Sequence, residues 1–229
     1  IDGCVAIGYE ALKGSSSTTT GAHYTVAIGK ESLKALTTGA RNIAVGAFGL
    51  DVLTVGDDNI SIGYNAMGAL STTDGSDKNI AIGTYAMDDV GALAATQNIF
   101  IGYDSGGGSW TGTLSEKNVA IGNYTMDAAL NGALNNTAVG YNALGSLEEG
   151  DYNVAIGSYA LDGLVDAVGN VAIGYSCITG AVTTNYSTAI GYEALRDVTG
   201  GEHNLAIGLQ ALQAPVSYTH LRAHETVLD

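Results

Sequence analysis

The feature that most limits what this chain can fold into is a glycine that returns every 17 to 21 residues. It stands at Gly8, Gly29, Gly46, Gly63, Gly83, Gly102, Gly122, Gly140, Gly157, Gly174, Gly191 and Gly208, at intervals of 21, 17, 17, 20, 19, 20, 18, 17, 17, 17 and 17. A 17-residue unit with occasional insertions accounts for every interval. Short fixed periods of this kind belong to solenoids, where one repeat is one structural unit that buries its apolar side chains against its neighbours.

The residues before each glycine read as a strand. The immediately preceding residue is Ile or Val in all twelve units, and two residues earlier stands another aliphatic residue or Thr, such as Val5, Val26, Ile43, Ile60 or Thr137. Between them lies Ala in ten units, Ser61 and Phe100 being the exceptions. This is alternation with period two on β-branched residues. Seventeen residues are too few for a two-helix repeat and suit one coil, so the expected fold is all-β: a parallel β-solenoid, or β-roll, of about twelve 17–21-residue coils. Stacked at ~4.8 Å per coil, these make a rod of roughly 55–60 Å. Tyr9-Glu10-Ala11-Leu12 and its equivalents contain helix formers and are expected to be single helical turns or second short strands. The aliphatic pair is expected to face the core, with Ile7, Ile82, Ile121, Ile156 and Ile190 in one buried stack and Leu beside them. The Ala face is then outward, and its freedom from bulk and charge predicts a homotrimer packed through it. Ala packed against the coil's own turn is the competing account.

Asn opens nine units, at Asn42, Asn59, Asn79, Asn98, Asn118, Asn136, Asn153, Asn170 and Asn204. Identical amides stacked at a corner can bond to one another as a ladder. The recurrent glycine implies a positive φ or a close backbone approach. Tyr sits one or two residues after it in nine units, which predicts a packed aromatic column.

Composition excludes several function classes. The formal net charge is −15, which disfavours DNA, RNA and anionic membrane surfaces as partners. No run of 18 apolar residues occurs, so no membrane-inserted helix is expected. The chain opens inside a repeat, at Ile1-Asp2-Gly3, and is read as a fragment, with residues 1–214 forming the repeat domain. Residues 215–229 differ in character and hold the only Pro. Val216-Ser217-Tyr218-Thr219-His220-Leu221-Arg222-Ala223-His224-Glu225-Thr226 resembles one reading frame of a common sequencing adapter, so this tail is set apart as non-native and given no role.

Within residues 1–214 no catalytic, cofactor or metal residue is assigned. Cys4 and Cys177 lie nine coils apart, too far for an intrachain disulfide. His23 and His203 have no zinc-type spacing, and Gly106-Gly107-Gly108 lacks the Lys-Ser/Thr of a phosphate loop. Asp57-Asp58, Asp88-Asp89 and Glu148-Glu149 are read as solvated loop charges rather than weak calcium sites. One unit departs from the rest: Phe100 replaces Ala, Ser105-Gly106 replaces Ala-Leu, and a Gly-rich insertion carries Trp110. Ser109, Trp110 and Thr111 form the candidate receptor-contact loop, because exposed aromatics on loops favour recognition. The structural reading, which the tendency of large aromatics to bury their area favours, is that Trp110 fills the space of the missing Leu.

The motif Asn-Val-Ala-Ile-Gly-Tyr-x-Ala-Leu, as in Asn170 to Ile178 and, with Thr188 in the strand, through Leu195, resembles repeats of bacteriophage tail fibres. It is also similar to the Val-Ala-Ile-Gly repeats in the heads of trimeric autotransporter adhesins. The resemblance spans residues 4–214 and implies a parallel β-roll, homotrimerisation and attachment to a host surface glycan or protein. The expected function is a structural or adhesive fibre segment, on a virion or a bacterial cell surface, with no enzymatic role. A carbohydrate-active β-helix enzyme is the alternative, although no acidic or basic residues visibly converge on one face. An ice- or crystal-binding solenoid needs a regular Thr ladder, and Thr here falls mostly in irregular loops.

Overall fold

The computed structural model describes residues 2–14, 21–70, 75–91, 95–180, 184–198 and 200–213. It is a β-solenoid with one three-residue strand per coil. The strands are β1 (Val5–Ile7), β2 (Val26–Ile28), β3 (Ile43–Val45), β4 (Ile60–Ile62), β5 (Ile80–Ile82), β6 (Ile99–Ile101), β7 (Val119–Ile121), β8 (Thr137–Val139), β9 (Val154–Ile156), β10 (Val171–Ile173), β11 (Thr188–Ile190) and β12 (Leu205–Ile207). They form a single parallel sheet in sequence order. Each strand pairs with the next in the same register, as in Ala155 opposite Ala172 and Ile156 opposite Ile173. The register is kept across the 20-residue intervals too, with Ile62 opposite Ile82 and Ile101 opposite Ile121. The extra residues of the longer units therefore lie between strands. The set-apart tail, residues 215–229, falls outside the described residues.

The sheet faces the opposite way from the sequence expectation. Ala27, Ala44, Ala81, Ala120, Ala138, Ala155, Ala172 and Ala189 are wholly buried. The aliphatic pair points outward: Ile7 is 58 % exposed, Ile121 and Ile156 are each 40 %, and Ile190 is 37 %, while Ile82 is half-buried. The expected Ile stack in the core and the outward Ala face are both overturned. The reason is the width of the coil. Its interior is already filled by Leu and Met side chains from the two turns after the strand, among them Leu33, Leu36, Leu50, Leu53, Met67, Leu70, Leu144 and Leu147. Against them only a methyl group fits. Where the strand carries more bulk, the turns give way. Phe100 is wholly buried, and a Cβ at Gly106 would stand 2.5 Å from its ring. Ser61, in the same row, sits beside Gly49, where a Cβ would come within 3.0 Å of its hydroxyl.

The turns are not helical; the described residues contain no helix. Residues two and four after the glycine take positive φ, as at Glu31 (58°) and Leu33 (49°), or Tyr159 (59°) and Leu161 (55°). A helical turn would spend its N–H groups inside the coil. Alternating right- and left-handed residues instead sends them along the fibre. Glu31 N–H donates to Tyr9 O of the coil before (2.8 Å), and Leu33 N–H to Gly49 O of the coil after (2.9 Å). The backbone ladder thus continues around the corner, where each left-handed L-residue costs of order 1 kcal/mol.

The glycine that ends each strand is fixed by close approach. Gly157 has φ 133°, and a Cβ there would lie 2.3 Å from the carbonyl oxygen of Gly174 on the next coil. The Asn ladder is present and buried. Asn136 donates Nδ2 to Asn118 Oδ1 (3.1 Å) and to Gly150 O (2.7 Å). Its Oδ1 accepts from the backbone N–H (2.9 Å) and Nδ2 (3.0 Å) of Asn153. The same pattern runs from Asn42 to Asn170. At Ser187 a hydroxyl takes over, accepting from Asn204 N–H at 3.1 Å.

Candidate functional site

With Ala inside, the outer surface of the sheet is two rows of aliphatic side chains, one before and one after each buried residue. Among these positions only Thr137 and Thr188 are polar and none is charged. The rows run the length of the twelve strands, which at ~4.8 Å per coil is about 50 Å. Monomeric proteins rarely leave so long a continuous apolar strip open to water. Edge strands and open faces are ordinarily guarded by Lys, Glu or Pro, and here the guard is missing.

Beside this face rises the aromatic column. Phe48, Tyr64, Tyr85, Tyr103, Tyr124, Tyr141, Tyr159, Tyr175 and Tyr192 follow one another with ring centroids 5.2–6.1 Å apart. Successive rings stand edge to face from Phe48 to Tyr175, the Tyr64–Tyr85 pair at 88°, whereas Tyr175 and Tyr192 stack at 13°. The sequence explains the difference. From Phe48 to Tyr175 the aromatic alternates between the second and the first position after the glycine, so consecutive rings approach from different points. Tyr175 and Tyr192 both occupy the first position and lie parallel. Edge-to-face pairs contribute ~0.5–1.5 kcal/mol each beyond area burial.

This alternation defines a two-coil unit that the 17-residue repeat conceals. The coils of Tyr64, Tyr103 and Tyr141, with Tyr in the first position, carry Asn65, Asp104 and Asn142 in the second and Gly68, Gly107 and Gly145 in the fifth. The coils that follow them, with Tyr in the second position, carry Asp88, Asp127 and Asp162 in the fifth. Asn65 Nδ2 donates to Asp88 Oδ2 at 3.3 Å, and Asn142 Nδ2 donates to Asp162 Oδ1. The glycines make room for these side chains, since a Cβ at Gly68 would stand 2.4 Å from Asn65 Oδ1. Asp88 is therefore half-buried rather than a fully solvated loop charge, and burial, with Asp104 and Asp89 nearby, pushes its carboxyl up to about 6. Burial, with Asp104 and Asp88 nearby, likewise pushes Asp127 up to about 6.

The other acidic pairs are satisfied locally. Asp58 takes the Arg41 guanidinium at 2.6 Å, and that contact holds its carboxyl below the usual range. Asp57 Oδ1 accepts from Ala40 N–H (2.7 Å) and caps the coil before it. Glu149 accepts from Asn131 Nδ2 at 2.5 Å. Among the described residues no group of three His, Cys, Asp or Glu could hold a metal ion. Cys4 and Cys177 are free thiols. Cys177 is buried in a row otherwise filled by Ala, Ser, Thr or Gly, and burial pushes its thiol up.

In the candidate receptor-contact loop the three residues part company. Trp110 is 5 % exposed and belongs to the core. Its ring packs on Phe100 with centroids 5.6 Å apart, and Nε1–H donates to Gly106 O at 3.0 Å. It fills the volume left where Ser105-Gly106 replaces the usual Ala-Leu. Ser109 and Thr111 lie on the surface, Ser109 donating its hydroxyl to Asp89. Sequence reasoning missed the aliphatic face as the exposed one. The signal that could have found it is the pairing of Phe100 with Gly106 and of Ser61 with Gly49, because volume is exchanged only between residues that share an interior. No protein-family model matches the chain, and comparison with curated proteins gives no match.

Proposed function

We propose that this chain is a segment of an extracellular adhesive fibre, of the kind found in phage tail fibres or bacterial surface adhesins. It acts by holding a receptor-binding surface away from a virion or cell. The observation that carries this reading is the continuous, uncharged Val and Ile face along the solenoid. Because the strands are parallel and in register, copies arranged about an axis along the fibre set each coil against the same coil of the next copy. A strip only two side chains wide can be closed by three such copies, which favours a homotrimer with the aliphatic face at its axis. The variable loops then point away from the axis. The 106–117 loop, with Ser109 and Thr111 at its surface, is one place for a host glycan or protein to bind.

The reading assigns no catalytic residue, and the perturbed carboxyls lie along a structural row. The test is binding of the fluorescently labelled chain to a panel of bacterial cells and immobilised surface glycans, with reducing-sugar release followed in the same samples. Saturable binding to a subset of surfaces without sugar release is the expected result. Polysaccharide cleavage that a single substitution abolishes would instead establish an enzyme.

A further inference from the structure

The row of polar side chains beside the tyrosine column has one irregular member. In the two-coil unit the second position is Asn at Asn65 and Asn142, and each amide donates to the Asp of the following coil. In the unit between them the same place is held by Asp104. Asp104 is set as its Asn counterparts are. A Cβ at Gly107 would stand 2.1 Å from Asp104 Oδ1, as one at Gly145 would stand 2.5 Å from Asn142 Oδ1. The same Gly107 Cβ would lie 3.3 Å from Asp127 Oδ1, so the carboxyls of Asp104 and Asp127 meet over one glycine. On the preceding coil Asp88 already accepts from the Asn65 amide. Two carboxyls thus face each other on successive coils, where the flanking pairs have an amide facing a carboxylate.

We propose that Asp104 and Asp127 form a proton-operated clamp across two coils, in which one proton held between them supplies the hydrogen bond that an Asn side chain supplies in the pairs on either side. The proton comes from solvent. The protonated carboxyl of the pair then donates its O–H to the facing carboxylate, and no other bond changes. When the proton leaves, like charges on adjacent coils repel and the middle of the solenoid loosens. Asp88 also bears on Asp127, and the Tyr124 hydroxyl is raised by burial first and then by neighbours that include Asp104 and Asp127. Gly107 N–H bonds to Asp127 and opposes its rise. Burial raises both carboxyls, so the folded chain holds the proton more tightly than the unfolded chain. The stabilisation is full below the unfolded value near 3.8 and is lost as pH rises through about 6, where Asp127 is held.

The experiment compares thermal unfolding midpoints of the full chain, Asp104→Asn and Glu148→Gln between about pH 4.5 and about pH 7.5. Asp104→Asn restores the amide of the flanking pairs. Glu148→Gln removes the same charge from an exposed loop and measures the effect of net charge alone. The parent midpoint is expected to fall by roughly 5 °C across this range. Asp104→Asn should flatten that slope and melt higher than the parent at the upper pH, while Glu148→Gln keeps the parent slope. Asn142→Asp, which creates a second facing acid pair with Asp162, should steepen it. The proposal is overturned if Asp104→Asn keeps the same pH slope as Glu148→Gln, or if the parent midpoint rises with pH.

Discussion

Removal of one rung from the Asn ladder gives a prediction whose size follows from the hydrogen bonds. The side chain of Asn136 makes four. In Asn136→Ala two partners keep another bond: Asn118 Oδ1 still accepts from the backbone N–H of residue 136, and Asn153 Nδ2 still donates to Ala167 O. The backbone N–H of Asn153 and the carbonyl of Gly150 lose the partner that satisfies them. An orphaned buried polar group costs about 1–3 kcal/mol, so the pair is expected to cost about 4 kcal/mol. Asn136→Ser should cost about half as much, because a hydroxyl can accept the next coil's N–H as Ser187 does. Native-state hydrogen exchange at the Asn153 amide reads this locally, which suits a repeat protein whose coils need not unfold together. Protection should drop roughly a thousandfold in the Ala variant, since each 1.4 kcal/mol is about tenfold. Protection within about threefold of the parent, a change of less than about 1 kcal/mol, would refute the reasoning.

Two further substitutions probe the corner and the core. Gly157→Ala places a Cβ 2.3 Å from Gly174 O at φ 133°, and circular dichroism with limited proteolysis should show loss of folded protein; Gly200→Ala, with nothing within 4 Å, should be neutral. Trp110→Ala should cost about 3–5 kcal/mol in urea unfolding through the cavity left against Phe100, and a cost below about 1 kcal/mol would place the ring outside the core.

The repeat, the strand, the glycine corner and the Asn ladder were legible in the sequence because each rests on backbone geometry that recurs at a fixed period. The direction of the sheet was not. Period-two alternation places Val and Ile on one side and Ala on the other, and hydrophobicity alone assigns the larger side chains to the core. That rule fails when the interior is a narrow tube already filled by Leu and Met from the turns. The helical turn expected at Tyr-x-Ala-Leu failed for a related reason. Helix propensity describes a segment that satisfies its own N–H groups, whereas here neighbouring coils supply the acceptors, and even Ile178 is held at φ 52°. Trp110 was legible as the plug for the missing Leu, because large aromatics bury their area, and the exchange of volume among Phe100, Ser105 and Gly106 is what seats it. The facing carboxyls of Asp104 and Asp127 were hidden until the tyrosine alternation exposed the two-coil unit.

The central claim is that the aliphatic face is an assembly surface and the Ala row is core. Sedimentation equilibrium of the full chain tests it most directly, alongside a triple variant, Ile121→Lys, Ile156→Lys and Ile190→Lys, and the single variant Ala155→Lys. The account predicts a parent trimer, a triple variant that sediments as a monomer with unchanged β-sheet circular dichroism, and an Ala155→Lys chain that does not fold, since Ala155 is wholly buried. A parent that sediments as a folded monomer, or a triple variant that stays trimeric, would contradict it.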